Sequence, residues 1–289
     1  MKVKEIIHAC GRCLGILAAL STGCALGTPA ARFEAAAESA GLSAGEIAGA
    51  GFRHRTFTAD PTAGGSTLFV YFGGDGTPFV RPDTVARDPT PRRPLTLDLL
   101  RRGPAPAVFL GRPCYHGLTE RCHPGLWTVG RYSEPVVASM TAATRRLIES
   151  GGHERAVLIG YSGGGVLALL VAERLRRVDA VVTLAANLDI DAWGGLHGYS
   201  PLTTSINPVT AAGTRHDLVH LHLSGDADRN VPPPVHGRLH DKLAHGAFRT
   251  LAGFDHRCCW VQAWPRLAAE LQRRLSESAQ APPQPAHER

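Results

Sequence analysis

Apolar runs that alternate with helical segments are the feature that most limits how this 289-residue chain can fold. Five runs have the length and composition of buried strands, and a weaker sixth covers residues 248–252. The five lie at residues 67–71, 107–110, 156–159, 180–184 and 218–223. Because these runs are continuous rather than alternating apolar and polar, they favour a parallel sheet covered on both faces. Helical segments lie between or after them, at residues 133–148, 166–175, 239–243 and 264–275. These strand–helix–strand units predict an α/β fold, a three-layer sandwich around a mostly parallel, twisted sheet.

The N-terminal segment has the layout of an export signal. Lys2, Lys4 and Arg12 precede an apolar stretch at residues 14–20, which is too short to span a membrane, and small residues then lead to Cys24. Small residues directly before a cysteine are also typical of a bacterial lipoprotein signal, in which Cys24 becomes the lipidated first residue. We therefore expect an exported protein, periplasmic or anchored to a membrane through a lipid on Cys24. A plain signal peptide and a hydrophobic N-terminal helix of a cytoplasmic protein are the alternatives.

The rest of the chain divides into three parts after this signal of residues 1–24. Residues 25–51 are rich in alanine and weakly helical, which predicts a spacer with a first helix. Residues 52–275 carry the strand and helix signals and predict one domain. Residues 276–289 are polar and rich in proline, which predicts a disordered tail.

The cysteines predict at least one disulfide. If Cys24 carries a lipid and the signal is removed, four cysteines remain to pair in an oxidising compartment: Cys114, Cys122, Cys258 and Cys259. Four thiols allow three pairings, and a Cys114–Cys122 bridge is favoured because it closes a short loop. His116 and His123 lie beside these two cysteines, but the spacings match no standard zinc pattern, so no metal is expected.

The net charge of +6 comes almost wholly from arginine, since Lys2, Lys4 and Lys242 are the only lysines. The arginines are scattered, with no block of like charge and no interleaved aromatic residues. This distribution argues against nucleic-acid binding.

The most informative segment is a Gly-x-Ser-x-Gly pattern formed by Gly160, Ser162 and Gly164, directly after one predicted strand and before a predicted helix. A serine on such a sharp strand-to-helix turn has a strained backbone, and side chains at the two glycines would collide across the turn. The pattern arises easily by chance, but its position between a strand and a helix makes it specific. Ser162 is therefore a candidate nucleophile.

A serine nucleophile needs a base, and the base needs an acid to orient it. His256 follows the last predicted strand and is the candidate base, because it falls at the sheet edge where Ser162 is also expected. Asp226 and Asp228 both follow the strand before it and compete for the role of the acid.

An oxyanion next to the serine needs two backbone N–H donors. One is expected at Gly163, directly after Ser162. The other is expected in the glycine-rich loop at residues 72–76, whose backbone can approach a substrate closely. Asp75 is the first choice for this donor and Gly74 the second.

With these elements in this order, the chain resembles a bacterial serine hydrolase of the α/β-hydrolase superfamily over residues 52–275. The G-x-x-D-x-x-V-P spacing at residues 225–232 is similar to the acid loop of many such hydrolases and favours Asp228 over Asp226. More narrowly, the chain resembles a largely uncharacterised group of exported, lipoprotein-like bacterial hydrolases. The shared motifs lie at residues 74–76, 88–92, 111–114, 127–128, 131–133, 187–189, 205–208 and 256–260.

This resemblance implies an enzyme in which Ser162, Asp228 and His256 form a catalytic triad. The triad would cleave a small-molecule ester or lipid substrate, as an esterase or lipase does, through an acyl-enzyme on Ser162 and without a metal or organic cofactor. A thioesterase or peptidase on the same triad is one alternative. A non-catalytic surface lipoprotein that uses the fold as a binding scaffold is the other.

The usual strand order of the superfamily also bears on the cysteines and on the long connection after residue 184. It places the Cys114 and His256 strands about five strand spacings apart, which favours the Cys114–Cys122 pairing. Cys258 and Cys259 then stay reduced or pair with each other. The roughly thirty residues before the strand at 218–223 are expected to form a small cap that shapes the substrate pocket, or a plain crossover helix with a long loop.

Overall fold

The computed structural model describes residues 27–60, 62–117, 121–243 and 247–280. The predicted export signal with Cys24, and most of the predicted tail, lie outside these residues. Among the helices of this described part, none is both long and apolar enough to cross a bilayer.

Within the described residues, ten strands make up two sheets. They are β1 (Ser43–Ala48), β2 (Arg53–Thr58), β3 (Thr67–Phe72), β4 (Phe79–Arg81), β5 (Thr84–Val85), β6 (Ala107–Leu110), β7 (Arg155–Tyr161), β8 (Val178–Leu184), β9 (Val219–Gly225) and β10 (Ala247–Leu251). Eight of them form the main sheet in the order β1-β2-β6-β3-β7-β8-β9-β10, and β4 pairs with β5 alone. β2 runs antiparallel to both its neighbours, and all the other pairs in the main sheet are parallel. The predicted, mostly parallel sheet is confirmed.

Helices cover both faces of this sheet. They are α1 (Pro29–Ser39), α2 (Leu95–Arg102), α3 (Glu134–Ser150), α4 (Gly163–Ala172), α5 (Ile190–His197), α6 (Pro208–Ala211), α7 (Gly237–Lys242) and α8 (Trp260–Gln280). Each face of the sheet has its own hydrophobic core, and the side chains of β3 alternate between them. Val70 and Phe72 pack in the core with α3 and α4, whereas Phe69 and Tyr71 pack in the core with α2 and α8. Every residue of α4 is buried, because this helix lies between the sheet and α3 and is apolar all round. These are the three layers that the sequence predicts.

Two strands at the sheet edge and the end of the last helix differ from the sequence-based prediction. β1 falls within residues 25–51, where a spacer and a helix are predicted, and β2 is also absent from the predicted strands. Both strands lie at one edge of the sheet, where half or more of their residues remain partly or fully exposed, so they carry no continuous apolar run. At the other end of the chain, α8 continues to Gln280, past residue 275, where the domain is predicted to end.

The four cysteines of the described part form two disulfides. Cys114 is joined to Cys122, the pairing that the sequence favours. Cys258 and Cys259, whose state the sequence leaves open, are joined to each other in the loop just before α8.

Candidate active site

Ser162 lies on the sharp turn between β7 and α4 with φ 52° and ψ −130°, a conformation that residues with side chains rarely adopt. Its backbone N–H donates to the carbonyl oxygen of Leu184 on the neighbouring β8 at 2.9 Å, which ties the turn to the sheet. A Cβ at Gly160 would overlap the backbone of Gly164, and a Cβ at Gly164 would overlap the carbonyl oxygens at the end of β3. The two glycines therefore allow the turn, and the turn holds Ser162 at the carboxyl edge of the sheet.

His256 and Asp228 lie beside this serine. The Nε2 atom of His256 is 3.1 Å from the Ser162 Oγ, and its Nδ1 is 2.9 Å from Oδ2 of Asp228. The Asp228 carboxylate is fully buried, and its other oxygen accepts hydrogen bonds from the backbone N–H groups of Asn230 and Val231, each at 2.8 Å. These bonds fix the carboxylate against Nδ1 of His256, and Nε2 is the ring nitrogen that faces Ser162.

The structure also separates the two competing aspartates. The Asp226 carboxylate accepts a hydrogen bond from the backbone N–H of Gly253 at 2.7 Å, and no bond between it and His256 is present in the described structure. Asp226 is therefore a turn residue, and Asp228 is the aspartate that contacts the candidate base.

Asn230 is a further polar neighbour that the sequence does not single out. Its side-chain nitrogen is 3.1 Å from His256 Nε2, so it competes with Ser162 for the same ring nitrogen. Its carbonyl oxygen accepts hydrogen bonds from Trp193 Nε1 at 2.9 Å and from His197 Nε2 at 2.7 Å. Asn230 thus connects α5 to the candidate base.

The loop after β3 lies on the other side of Ser162. A Cβ at Gly74 would be 3.3 Å from the Ser162 Cβ, so the backbone of this loop passes directly against the serine. Among the described residues, no group accepts a hydrogen bond from the backbone N–H of Asp75 or from that of Gly163, which is the first residue of α4. Both donors remain available to a ligand at Ser162.

The acceptor atoms of Asp75, in contrast, are all engaged. Its Oδ1 pairs with Arg112 at 2.7 Å and its Oδ2 with Arg131 at 3.0 Å. The Tyr132 hydroxyl lies 2.8 and 2.7 Å from the two carboxylate oxygens, and the Tyr115 hydroxyl donates to the backbone carbonyl of Asp75 at 2.9 Å. We call these five residues the Asp75 cluster. Tyr115 thus holds the backbone carbonyl of Asp75 and the other three residues hold its carboxylate, while its N–H has no acceptor among the described residues.

The cluster keeps Asp75 ionised. Burial acts to raise the pKa of Asp75, but the guanidinium groups of Arg112 and Arg131 and the hydrogen bond from Tyr132 outweigh it, so the pKa lies below the usual 3.8. Burial, with the charge of Asp75 acting in the same direction, raises the pKa of the Tyr132 hydroxyl, which therefore remains a donor. The negative charge beside the free N–H groups is thus compensated by two positive ones.

A cavity of about 930 Å³ opens above Ser162. One wall is the segment from residue 76 to residue 94, which includes the β4–β5 hairpin, and no element of this wall was predicted from the sequence. The opposite wall contains Trp193 of α5 and Tyr199 just after it. The connection between β8 and β9 therefore lines the cavity, which is compatible with both predicted forms of this connection, a small cap and a crossover helix with a long loop.

His116 and His123, the neighbours of the disulfide, do not suggest a metal site. His116 is partly buried, and its ring centroid lies 4.5 Å from that of Phe33 and 5.6 Å from that of Phe109. Burial lowers the pKa of His116 to about 3, so this side chain packs as a neutral aromatic ring. Within the described ranges, no group of three or more His, Cys, Asp or Glu side chains is arranged to hold a metal ion.

Sequence comparisons find no matching family model and no matching curated protein. Solved structures do match the fold. An esterase from Pyrococcus furiosus is similar with a TM-score of 0.54 and 14% identity, over 82% of this chain and 91% of its own. A putative dienelactone hydrolase from Klebsiella pneumoniae has a TM-score of 0.54 and 18% identity, over 83% and 99%. A putative α/β hydrolase of unknown function from Agrobacterium tumefaciens has a TM-score of 0.55 and 14% identity, over 84% and 100%. The chain therefore has the α/β-hydrolase fold.

Proposed function

We propose that this protein is a serine hydrolase that cleaves carboxylic esters through an acyl-enzyme on Ser162. The Ser162 Oγ attacks the acyl carbon while its proton passes to Nε2 of His256. When the tetrahedral intermediate collapses, the C–O bond to the leaving group breaks and the departing oxygen takes that proton. A water molecule, deprotonated by the same nitrogen, then attacks the acyl-enzyme and releases the acid. Asp228 keeps the imidazole oriented and stabilises its positive charge throughout.

The backbone N–H groups of Gly163 and Asp75 stabilise the oxyanion in this mechanism, with Gly74 as the second choice for the latter. Each such donor contributes about 10²–10³-fold to turnover in related chemistry. The Asp75 cluster fixes the direction of one donor and prevents the nearby carboxylate from repelling the oxyanion.

The main support for this proposal is the continuous chain of contacts from Ser162 Oγ through the His256 ring to Asp228. The turn that carries Ser162 also presents the N–H of Gly163, and the loop after β3 presents the N–H of Asp75; neither N–H has an acceptor among the described residues. The fold is compatible with it, since the similar structures include a protein described as an esterase and one described as a putative dienelactone hydrolase. Fold alone does not define function, so the proposal depends on the site.

Hydrolysis of p-nitrophenyl butyrate by the purified protein tests the proposal. We expect turnover by the wild type and by Ser276→Ala, a matched serine substitution on the exposed face of α8, but not by Ser162→Ala or His256→Ala. Wild-type rates in either of the last two variants would remove that residue from the triad. Parallel assays with a thioester and a peptide substrate decide between the esterase and the alternatives that use the same triad.

We also propose that residues 1–24 direct export and that Cys24 receives a lipid. The support is the basic, apolar and small-residue order of this segment. Expression in a bacterium with radiolabelled palmitate should label the wild type but not Cys24→Ala. Equal labelling of both proteins, or none of the wild type, would contradict the lipid anchor.

A further inference from the structure

Arginine dominates the charged lining of the cavity above Ser162. Among the described residues that line it, four are arginines, at positions 92, 93, 131 and 257, and only Asp75 carries a carboxylate. The whole chain has a net charge of +6, so half of that charge corresponds to the excess of arginine over carboxylate in this one cavity. The walls of the cavity also exclude part of the solvent, which strengthens the field of charges that face it.

The one carboxylate does not offset the exposed arginines. Asp75 is already paired with Arg131, and with Arg112 behind it, so the Asp75 cluster has a net positive charge. No described carboxylate forms an ion pair with Arg92, Arg93 or Arg257. None of these three guanidinium groups therefore has an ion-pair partner among the described residues, and of the three only Arg257 has a recorded interaction with a carboxylate, the longer-range one with the charge of Asp255.

The nearest acids in the sequence are committed elsewhere. Asp88 accepts hydrogen bonds from the backbone N–H groups of Thr90 at 2.9 Å and Ala30 at 2.8 Å. Asp255 accepts from the backbone N–H groups of Arg257 and Cys258, each at 2.6 Å, and lines a separate hollow outside the cavity. Neither carboxylate enters the cavity to neutralise it.

The wall that carries Arg92 and Arg93 is also preformed. The backbone N–H of Thr77 donates to the carbonyl of Pro89 at 2.9 Å, and Gly76 packs so closely on this proline that a Cβ would overlap its carbonyl. Prolines immediately before and after the two arginines restrict the backbone further. The backbone that carries Arg92 and Arg93 is therefore held in place, so an anion bound there would not have to order this loop.

We propose that the substrate of this site is an ester that also bears an anionic oxygen group, a carboxylate or a phosphate, bound by Arg92, Arg93 and Arg257. This inference rests on the proposed hydrolase function and names its substrate class. Guanidinium groups suit both anions because their planar N–H donors match two oxygens at once. The anion contributes to binding and to the rate of encounter, and Ser162 cleaves the ester bond.

Two substrates that differ only in one charge test this assignment: p-nitrophenyl hydrogen adipate and its neutral methyl ester, methyl p-nitrophenyl adipate. We expect kcat/KM for the anionic ester to exceed that for the neutral one by about tenfold at low ionic strength, with the ratio falling as salt is added. The double variant Arg92→Gln/Arg93→Gln and the variant Arg257→Gln should each lower this ratio. The double variant Arg266→Gln/Arg273→Gln, which removes the same charge from exposed positions of α8 that do not line the cavity, should not.

Inhibition of the wild type provides a measurement that needs no variant. Hexanoate and butyl phosphate should both compete with the neutral ester more strongly than 1-hexanol, and the stronger of the two identifies the preferred anion. A wild-type ratio of one or below, a ratio unchanged in the triple variant of Arg92, Arg93 and Arg257, or equal inhibition by hexanol would overturn the assignment. Failure of the hydrolase proposal looks different, since neither ester would then be cleaved and no serine probe would label the protein.

Discussion

A carboxylate lies on each side of Ser162, and the two carboxylates differ in what they contact and in how exposed their partners are. On one side, Asp228 contacts a single histidine, whose side chain is 21% exposed. On the other, Asp75 contacts two arginines and a tyrosine, and the more buried arginine is only 3% exposed. On the first side, the partly exposed His256 can exchange a proton with a substrate or with water. On the second side, the buried charges of Asp75 and the two arginines are fixed.

This difference indicates that the two sides have separate roles, proton transfer at His256 and positioning of the oxyanion donor at Asp75. The proposed mechanism requires His256 to gain and lose a proton in each half-reaction, so its partner must stabilise both states. The Asp75 cluster needs only to keep one backbone N–H pointing at the oxyanion and must not change charge while it does so. Changes on the His256 side should therefore affect proton transfer, and changes in the cluster should affect oxyanion geometry.

The largest effect is expected from Asp228→Asn. The amide would donate to Nδ1 of His256 and force the proton onto Nε2, which can then no longer accept the proton of Ser162. We expect kcat for p-nitrophenyl butyrate to fall about 10⁴-fold, as is typical when such an acid becomes an amide. Asp226→Asn, two residues away in the same loop, serves as the control. A fall of similar size in the control, or none in Asp228→Asn, would reverse the assignment of the acid.

A smaller fall in kcat is expected from Gly163→Ala. Gly163 directly follows Ser162 and also packs against the Asp75 cluster. The new Cβ would overlap the Asp75 carboxylate and the Tyr132 hydroxyl, so the cluster must shift while His256 and Asp228 remain in place. A displacement of about 1 Å in such a site costs on the order of 10²-fold in rate. Gly237→Ala, where a Cβ meets no atom within 4 Å, should leave kcat unchanged. If both variants were equally active, the cluster would have no influence on turnover.

Tyr132→Phe should have a milder effect on the same side. It removes one hydrogen bond to a charged acceptor but leaves both arginines, and a loss of about 1.4 kcal/mol corresponds to tenfold in kcat. The shape of the pH–rate profile should stay as in the wild type, because the cluster transfers no proton. A changed pH profile in Tyr132→Phe would show that the two sides do not act separately.

The smallest effect concerns stability at acid pH. Since the pKa of Asp75 lies below 3.8 in the folded chain, the unfolded chain takes up the proton first as the pH falls. The contribution of Asp75 to the free energy of unfolding is therefore full above about pH 5. It is lost as the pH falls through the folded-state pKa, with a slope of at most about 1.4 kcal/mol per pH unit. Urea unfolding of Asp75→Asn between pH 5 and 3 should show a shallower slope than the wild type, whereas the exposed control Asp83→Asn should match it. An unchanged slope in Asp75→Asn would mean that its charge does not contribute.

The His256 side is the part of the site that sequence reasoning can predict. Ser162 lies in a local pattern flanked by a strand and a helix, and Asp228 and His256 each follow a later strand. In a parallel sheet these positions meet at one edge, so chain order alone brings the three residues together. The layers of the fold follow from the same apolar runs.

The Asp75 cluster could not be predicted in the same way. Four of its five members come from three short motifs, at residues 74–76, 111–114 and 131–133, and Tyr115 directly follows the second motif. The sequence assigns a role only in the first motif, where Asp75 and Gly74 are candidate oxyanion donors. Their pairing depends on loop conformations at the sheet edge, which carry no periodic signal. The cavity wall at residues 76–94 and the edge strand β1 are missed for the same reason, since neither has a buried apolar run.

Labelling with a fluorophosphonate probe, followed by mass spectrometry of the intact protein and its peptides, tests most directly whether Ser162 is an activated nucleophile. The proposed triad predicts one adduct per wild-type chain, located on Ser162, with much slower labelling of His256→Ala and none of Ser162→Ala. A folded wild-type protein that stays unlabelled, or an adduct on another residue, would contradict it.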